Sequence, residues 1–150
     1  MTLLPRRSLL AIAAVVDVAL HARPVPVTAK ALASRHHLPP RRLETVLQAL
    51  VRHAILKGVR GPRGGYELAR ERRRVSLGDI VRASQTAPTE SERKSSAAPD
   101  RSPLIEVVIQ PAIAAAGELY LAQLDNISVE DLCQISLGAT GQGGDVNFTI

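Results

Sequence analysis

The sequence predicts a mainly α-helical fold with one small β-hairpin, and three features predict it. Apolar residues recur at helical spacing through most of the 150-residue chain. Aromatics are scarce, with one Phe, two Tyr and no Trp, so a chain that is 45% hydrophobic must build its core from Leu, Ile, Val and Ala. That composition favours packed helices. One stretch, Leu56 to Ala69, sets two short extended runs around a Pro/Gly turn, which is the pattern of a hairpin.

Ser8 to Ala22 reads as the first helix, with Leu9, Ile12, Val16, Ala19 and Leu20 at helical spacing. Arg6-Arg7 ahead of this run resembles the start of a secretory signal. Asp17 interrupts the apolar stretch and Leu20-His21-Ala22 offers no small-x-small cleavage pattern, so a helix of the domain is expected instead. Neither proline of Arg23-Pro24-Val25-Pro26 can continue that helix. Thr28 is placed to N-cap a second helix, Ala29 to His37. Pro39-Pro40 breaks the chain, and Pro40 suits the first turn of a third helix. There Leu43, Val46, Leu47, Leu50, Val51 and Ala54 form one apolar stripe.

The hairpin follows, with strands Leu56 to Arg60 and Tyr66 to Ala69. Ser76 with Asp79 resembles a capping box for a fourth helix ending near Ser84. Residues 85–103, rich in Ser, Ala, Pro and charge and without periodicity, read as a linker or effector loop. Leu104 to Leu124 returns to helical spacing, with Ile105, Val108, Ala112, Ala116 and Leu119 on a narrow seam. Pro111 inside it is expected to kink or split the segment. Ser128 and Asp131 form a second box before a short final helix. Four glycines in 137–150 suggest a frayed, disordered tail. The domain reading is therefore 1–84, 85–103, 104–136 and 137–150. No segment is expected to reach the length of a membrane span.

Charge divides the chain. Residues 1–82 hold 16 Lys/Arg against 5 Asp/Glu, and residues 83–150 hold 3 against 9. One half suits a polyanion and the other does different work. The lack of aromatic rings argues against recognition by base stacking. With Cys133 alone, no internal disulfide or CxxC exists, as suits a reducing cytosol. Cys133, between Leu132 and Ile135, reads as a buried structural thiol. His36-His37 does not suggest metal, since adjacent helical residues do not face one ligand sphere. No catalytic constellation stands out, and Glu130-Asp131 is explained by capping. An enzyme is not expected.

A helix, a short helix, a tight break, a longer helix and a basic hairpin is the order of a winged helix-turn-helix. Arg41, Thr45, Gln48 and Arg52 lie at helical spacing opposite the apolar stripe of the third helix, with Arg42 and Glu44 beside them. Arg can read guanine, Gln adenine, and Glu cytosine N4, in a major groove. A solvated amphipathic face is the alternative for the same residues. In RGPRGGY, Arg60 to Tyr66, two arginines stand on a turn whose glycines let backbone come close to a ligand. Such a tip suits a minor groove. A phosphate-cradling loop fits less well, because no GxxxxGK[ST] is present and a strand follows.

The run VTAKALASRHHLPPRRLETVLQALVRHAILKGVRGPRGGYELAR, Val27 to Arg70, followed by VSLGDIVRA, resembles the Rrf-two family of winged-helix transcriptional regulators. That family includes the iron–sulfur cluster regulator and the nitric-oxide-sensing repressor. The resemblance runs from about Ser8 to Ala83, and weakly through Leu104 to Leu132. It implies a recognition helix with Arg41, Arg42, Glu44 and Thr45 near the bases. It implies a wing with Arg60 in the minor groove and Gly61, Gly64 and Gly65 shaping the turn. It also implies dimerisation through the long helix on a palindromic operator. The DNA-binding set is then Thr28, Arg41, Arg42, Glu44, Thr45, Gln48, Arg60, Gly61, Arg63, Gly64, Gly65 and Tyr66. The dimerisation set is the Ile105 to Leu119 seam.

Three departures from the family pattern stand out. The cluster-binding members carry three cysteines in the stretch matching residues 85–103, where this chain has none, and Thr86, Ser91, Ser95 and Ser96 cannot hold a cluster. No cofactor is therefore expected. Ala54-Ile55 replaces a glycine at the end of the recognition helix, and Arg42 replaces an aromatic before Leu-Glu. The resulting expectation is a cytoplasmic, homodimeric repressor of double-stranded DNA, open to an effector and not bound to membranes. A winged-helix protein-interaction module without specific DNA binding is the alternative.

Overall fold

The structure, a computed structural model, describes residues 3–88 and 102–141. It is mainly helical around one two-stranded antiparallel sheet. The core is aliphatic, as composition requires: Leu10, Val15, Val18, Leu32, Leu43, Leu47, Leu50, Ile55, Leu56, Ile80 and Val81 are buried in one cluster.

Helix α1 (Arg6–His21) is central to it, packing on α3, α4, the last helix and the second strand. It begins two residues before Ser8, on Pro5, whose carbonyl accepts the Ser8 and Leu9 amides. Its buried face carries Asp17, so the acid that interrupts the apolar run belongs to the core side. Helix α2 (Ala29–His36) starts at the expected cap, the Thr28 hydroxyl oxygen accepting the Ala31 amide at 3.0 Å. It stops at His37, which is left-handed at φ 50°. Helix α3 (Pro40–Arg52) has Pro40 in its first turn, where a missing N–H is harmless. Its buried stripe is Leu43, Val46, Leu47, Ala49 and Leu50. The sequence stripe ran too far: Val51 is 37% exposed, and Ala54 lies beyond the helix.

Strands β1 (Leu56–Val59) and β2 (Gly65–Leu68) pair Leu56 with Leu68 and Val59 with Gly65. A 3₁₀ turn, Arg72–Arg74, follows that periodicity does not reveal. Helix α4 (Leu77–Gln85) opens on a complete capping box: the Ser76 oxygen accepts the Asp79 amide at 3.0 Å, and Asp79 accepts the Ser76 amide at 3.1 Å. Of the linker reading, residues 89–101 lie outside the described residues.

The long segment is one helical run, not two. A π-helical turn, Ile105–Ile109, leads into α5 (Gln110–Leu124). Proline at 111 lacks an N–H for the i−4 carbonyl and its ring crowds that carbonyl, and the wider turn just ahead relieves both problems. The π turn also advances the phase of the preceding residues, so a straight narrow seam is not preserved. Apolar side chains stand out all round instead, with Leu104, Val107, Val108, Ile113 and Leu119 exposed alongside Ile105. By length and composition Ile105–Leu124 could cross a membrane, contrary to the expectation that no segment reaches that length.

The last helix, α6 (Val129–Gly141), begins on a second box between Ser128 and Asp131. The hydrogen bonds from Ser128 hold the Asp131 carboxyl below its usual range. The helix continues through residues 137–141, where the glycine count suggested a frayed tail; residues 142–150 lie outside the described residues. Cys133 is buried on this helix, and burial pushes its thiol pKa up.

Candidate nucleic-acid interface

The candidate surface has two parts, the outer face of α3 and the tip of the β1–β2 hairpin. Five apolar side chains of α3 point inward, which leaves Arg41, Arg42, Glu44, Gln48 and Arg52 exposed. Thr45 is half-buried and its hydroxyl donates to the Arg41 carbonyl at 3.1 Å. That i−4 bond orients the hydroxyl back along the helix.

At the hairpin tip, Arg60, Gly61, Pro62 and Arg63 are exposed. The Gly64 amide donates to the Gly61 carbonyl at 2.9 Å, which closes a turn with Pro62 in its second position. Gly61 has φ +117°, a backbone that L side chains rarely adopt. A β-carbon on Gly64 would collide with the Val59 carbonyl, so that glycine is required by contact.

The root of the wing is tied to the helix-turn-helix in ways local patterns could not reveal. Tyr66 donates its amide to the Val27 carbonyl at 2.7 Å, and Val27 donates back to Tyr66 at 3.0 Å. This bridge sets Thr28, the α2 cap, beside β2. A β-carbon on Gly65 would come within 2.5 Å of the Val27 oxygen. At the other edge, Ala54 is left-handed at φ 54°. The Arg70 Nε donates to the Ala54 carbonyl at 3.2 Å, and the Ala69 amide to the Ile55 carbonyl at 3.0 Å. So where the family pattern has glycine, alanine takes up the left-handed turn itself, and an arginine from the far side of the wing satisfies its carbonyl.

A second anchor holds α2. Asp17 accepts both Arg35 nitrogens, at 2.9 and 2.6 Å, and lies 2.7 Å from His36 Nε2. Burial raises the carboxyl's pKa, but hydrogen bonds from Arg35 and His36 outweigh it and hold the pKa below its ordinary value. His36 is therefore a partner of an acid; among the described residues no group of three His, Cys, Asp or Glu could hold a metal.

The long helix is fastened to the same body. Arg82 grips Asp125 in a two-pronged pair at 2.7 and 2.9 Å, holding that carboxyl low, and Ser76 donates to it at 3.4 Å. Asp125 sits so close over Gly78 that a β-carbon there would collide with it. Leu77 donates to the Ile127 carbonyl and Val129 to the Val75 carbonyl, each at 2.8 Å. Arg72 pairs with Glu130. The residues expected from the sequence to dimerise, Ile105, Val108, Ala112, Ala116 and Leu119, are all exposed on this fastened helix.

The HTH-type transcriptional regulator IscR of Sodalis glossinidius is 34% identical over 73 residues, 49% of this chain and 44% of the relative. Protein rrf2 of Nitratidesulfovibrio vulgaris is 29% identical over 85 residues, 55% and 57% respectively. The chain spans about half the length of the curated relatives it matches. Among solved structures, T. potens IscR superposes with a TM-score of 0.69 and 27% identity, over 96% of this chain and 93% of that one. CymR, the global cysteine regulator of B. subtilis, shares the fold at a TM-score of 0.63 and 24% identity, over 90% and 98%. The Rrf2 (Rrf-two) family, described as iron-dependent transcriptional regulators, matches residues 4–135, and the chain belongs to it.

Proposed function

We propose that this chain is a sequence-specific DNA-binding repressor that works in the cytosol as a homodimer on a palindromic operator. The observation that carries the reading is the pairing of an exposed polar face on α3 with a glycine-shaped wing tip bearing Arg60 and Arg63, both on the basic half of the chain. The α3 face would enter a major groove, with Arg41, Arg42, Glu44, Thr45 and Gln48 toward base edges. The wing tip would enter the adjacent minor groove, with Thr28 and Tyr66 at its root near the phosphates.

Exposed apolar side chains round the long helix support its use as the dimer contact, since a monomer rarely leaves such a surface open. A membrane span is a poorer account. The helix carries Glu106 and Glu118, and α4 and the Arg82–Asp125 pair hold its C-terminal end against the winged domain.

The family description includes iron, and this chain's donors do not fit a cysteine-ligated cluster. The sequence has one thiol, Cys133, buried on the inner side of α6. We propose regulation without such a cluster, through dimer geometry: a change in the spacing of two recognition helices costs contacts at both half-sites.

Fluorescence anisotropy with DNA from the chain's own promoter, a scrambled duplex and a salt series tests the reading. Promoter binding should be selective and fall by about 0.9 log units per phosphate contact for each tenfold rise in salt. Arg60→Ala should weaken it by about tenfold. Equal, weak binding to both duplexes would refute the proposal.

A further inference from the structure

A cleft of about 740 Å³ lies between the end of α1, the root of the wing, the Arg72–Arg74 turn and Glu130 of α6. Its size falls within the roughly 300–1,000 Å³ of small-molecule sites. Its floor is apolar, with the small side chains of Ala19 and Ala22 beside Leu68. Small side chains are what leave the space open.

The rim is charged, and its charges are not equally committed. Lys57 faces Glu67 at 3.4 Å, and Arg72 is paired with Glu130. Arg70 gives its Nε to Ala54. Arg23 and Arg73 are exposed and have no hydrogen-bond or ion-pair partner among the described residues. Glu71 is the one acid of the rim in the same position, so the uncommitted charge is net positive. Guanidinium groups favour planar, two-pronged recognition of a carboxylate.

We infer that this cleft binds a small amphipathic carboxylate, its charged end on Arg23 and Arg73 and its apolar body on the alanine floor. A free phosphate would satisfy the rim and leave the floor wet. An occupant would touch the wing root and the first turn of α6 together, so it would bias the angle of the wing to the dimer helix. That consequence rests on the DNA-regulator reading; the binding site itself does not.

Isothermal titration calorimetry of the full chain, without DNA, tests the site. The probes are 3-phenylpropionate and 4-methylpentanoate, with inorganic phosphate and 3-phenylpropanol as charge-only and body-only controls. The expected result is saturable one-to-one binding of the carboxylates and none of the controls. Arg23→Gln and Arg73→Gln should each weaken it by about tenfold, and Ala22→Leu should abolish it by filling the floor. The two arginines are exposed, so their variants keep the test valid even if Ala22→Leu fails to fold. No heat from either carboxylate, heat unchanged by the arginine variants, or equal binding of phosphate would each overturn the inference. Anisotropy on the same variants separates the two readings. Selective promoter binding without carboxylate heat would sink the cleft alone, whereas carboxylate heat without promoter binding would sink the regulator alone. A loss of promoter affinity in both arginine variants, with no carboxylate heat, would assign these guanidiniums to the DNA backbone and overturn the site.

Discussion

Asp17 is an acid on the buried side of α1, with its side chain only 3% exposed, and it survives there because Arg35 and His36 both reach it. In the linear sequence it appears only as a break in an apolar run. His21, one turn on, lies 3.4 Å from it, but the two residues that hydrogen-bond it are 18 and 19 residues away on another helix, and no local pattern announces them. Asp17→Asn should destabilise the fold by about 2 kcal/mol near neutral pH, the scale of lost hydrogen bonds to a charged group. The effect has a sign in pH. The folded carboxyl titrates below its unfolded counterpart, so its stabilisation is complete above the unfolded value and fades as pH falls through the folded one. Urea unfolding of both proteins from about pH 6 down to about pH 3 should show the gap closing; a gap that widened with acid would contradict the pairing. Ala54 is a residue of the opposite kind, legible in part. The missing glycine was visible, but the left-handed backbone it must adopt, and the help from Arg70, were not. Ala54→Gly should raise stability by about 0.5–1 kcal/mol, the left-handed penalty less the extra entropy of glycine.

At the scale of elements, what was local was readable. Both capping boxes, the Thr28 cap, the Pro40 start and the hairpin turn use partners within a few residues, and each stands where the sequence put it. What depended on distant packing was not. The Val27–Tyr66 bridge, the 3₁₀ turn and the Arg72–Glu130 and Arg82–Asp125 pairs join segments that only the fold brings together. The interface divides the same way: the outer face of α3 follows from its period, whereas the placement of the wing against α2 does not. Gly65→Ala tests that placement, because its β-carbon must push Val27 away. The expected result is faster amide exchange at Tyr66 and Val27 and promoter affinity reduced by about tenfold, with α1 and α4 protection unchanged. Unaltered exchange at both amides would show that the bridge does not brace the wing.

For the whole molecule, the exposed apolar helix asks for a second copy. Val108→Glu with Leu119→Glu places two charges along it, about three turns apart, at positions 57% and 73% exposed in the protomer, so neither change should disturb the protomer's own core. Light scattering should show a dimer for the parent chain and a monomer for the double variant, and promoter affinity should fall steeply with the loss of the second half-site. A monomer that bound the promoter as tightly as the parent would remove dimer geometry from the mechanism.

The strap formed by Leu77, Ile127, Val75 and Val129, with Arg82 on Asp125, makes the long helix a lever set into each winged domain. Twenty helical residues from 105 to 124 extend roughly 30 Å. A change of about 5° in how two such levers cross would carry their outer ends by roughly 2–3 Å, most of the 3.4 Å step between neighbouring base pairs. Operator spacing would then be inherited through the side chains where the levers cross, and operator sequence through α3 and the wing. Two relatives with identical reading heads could serve different promoters through changes in the shaft alone.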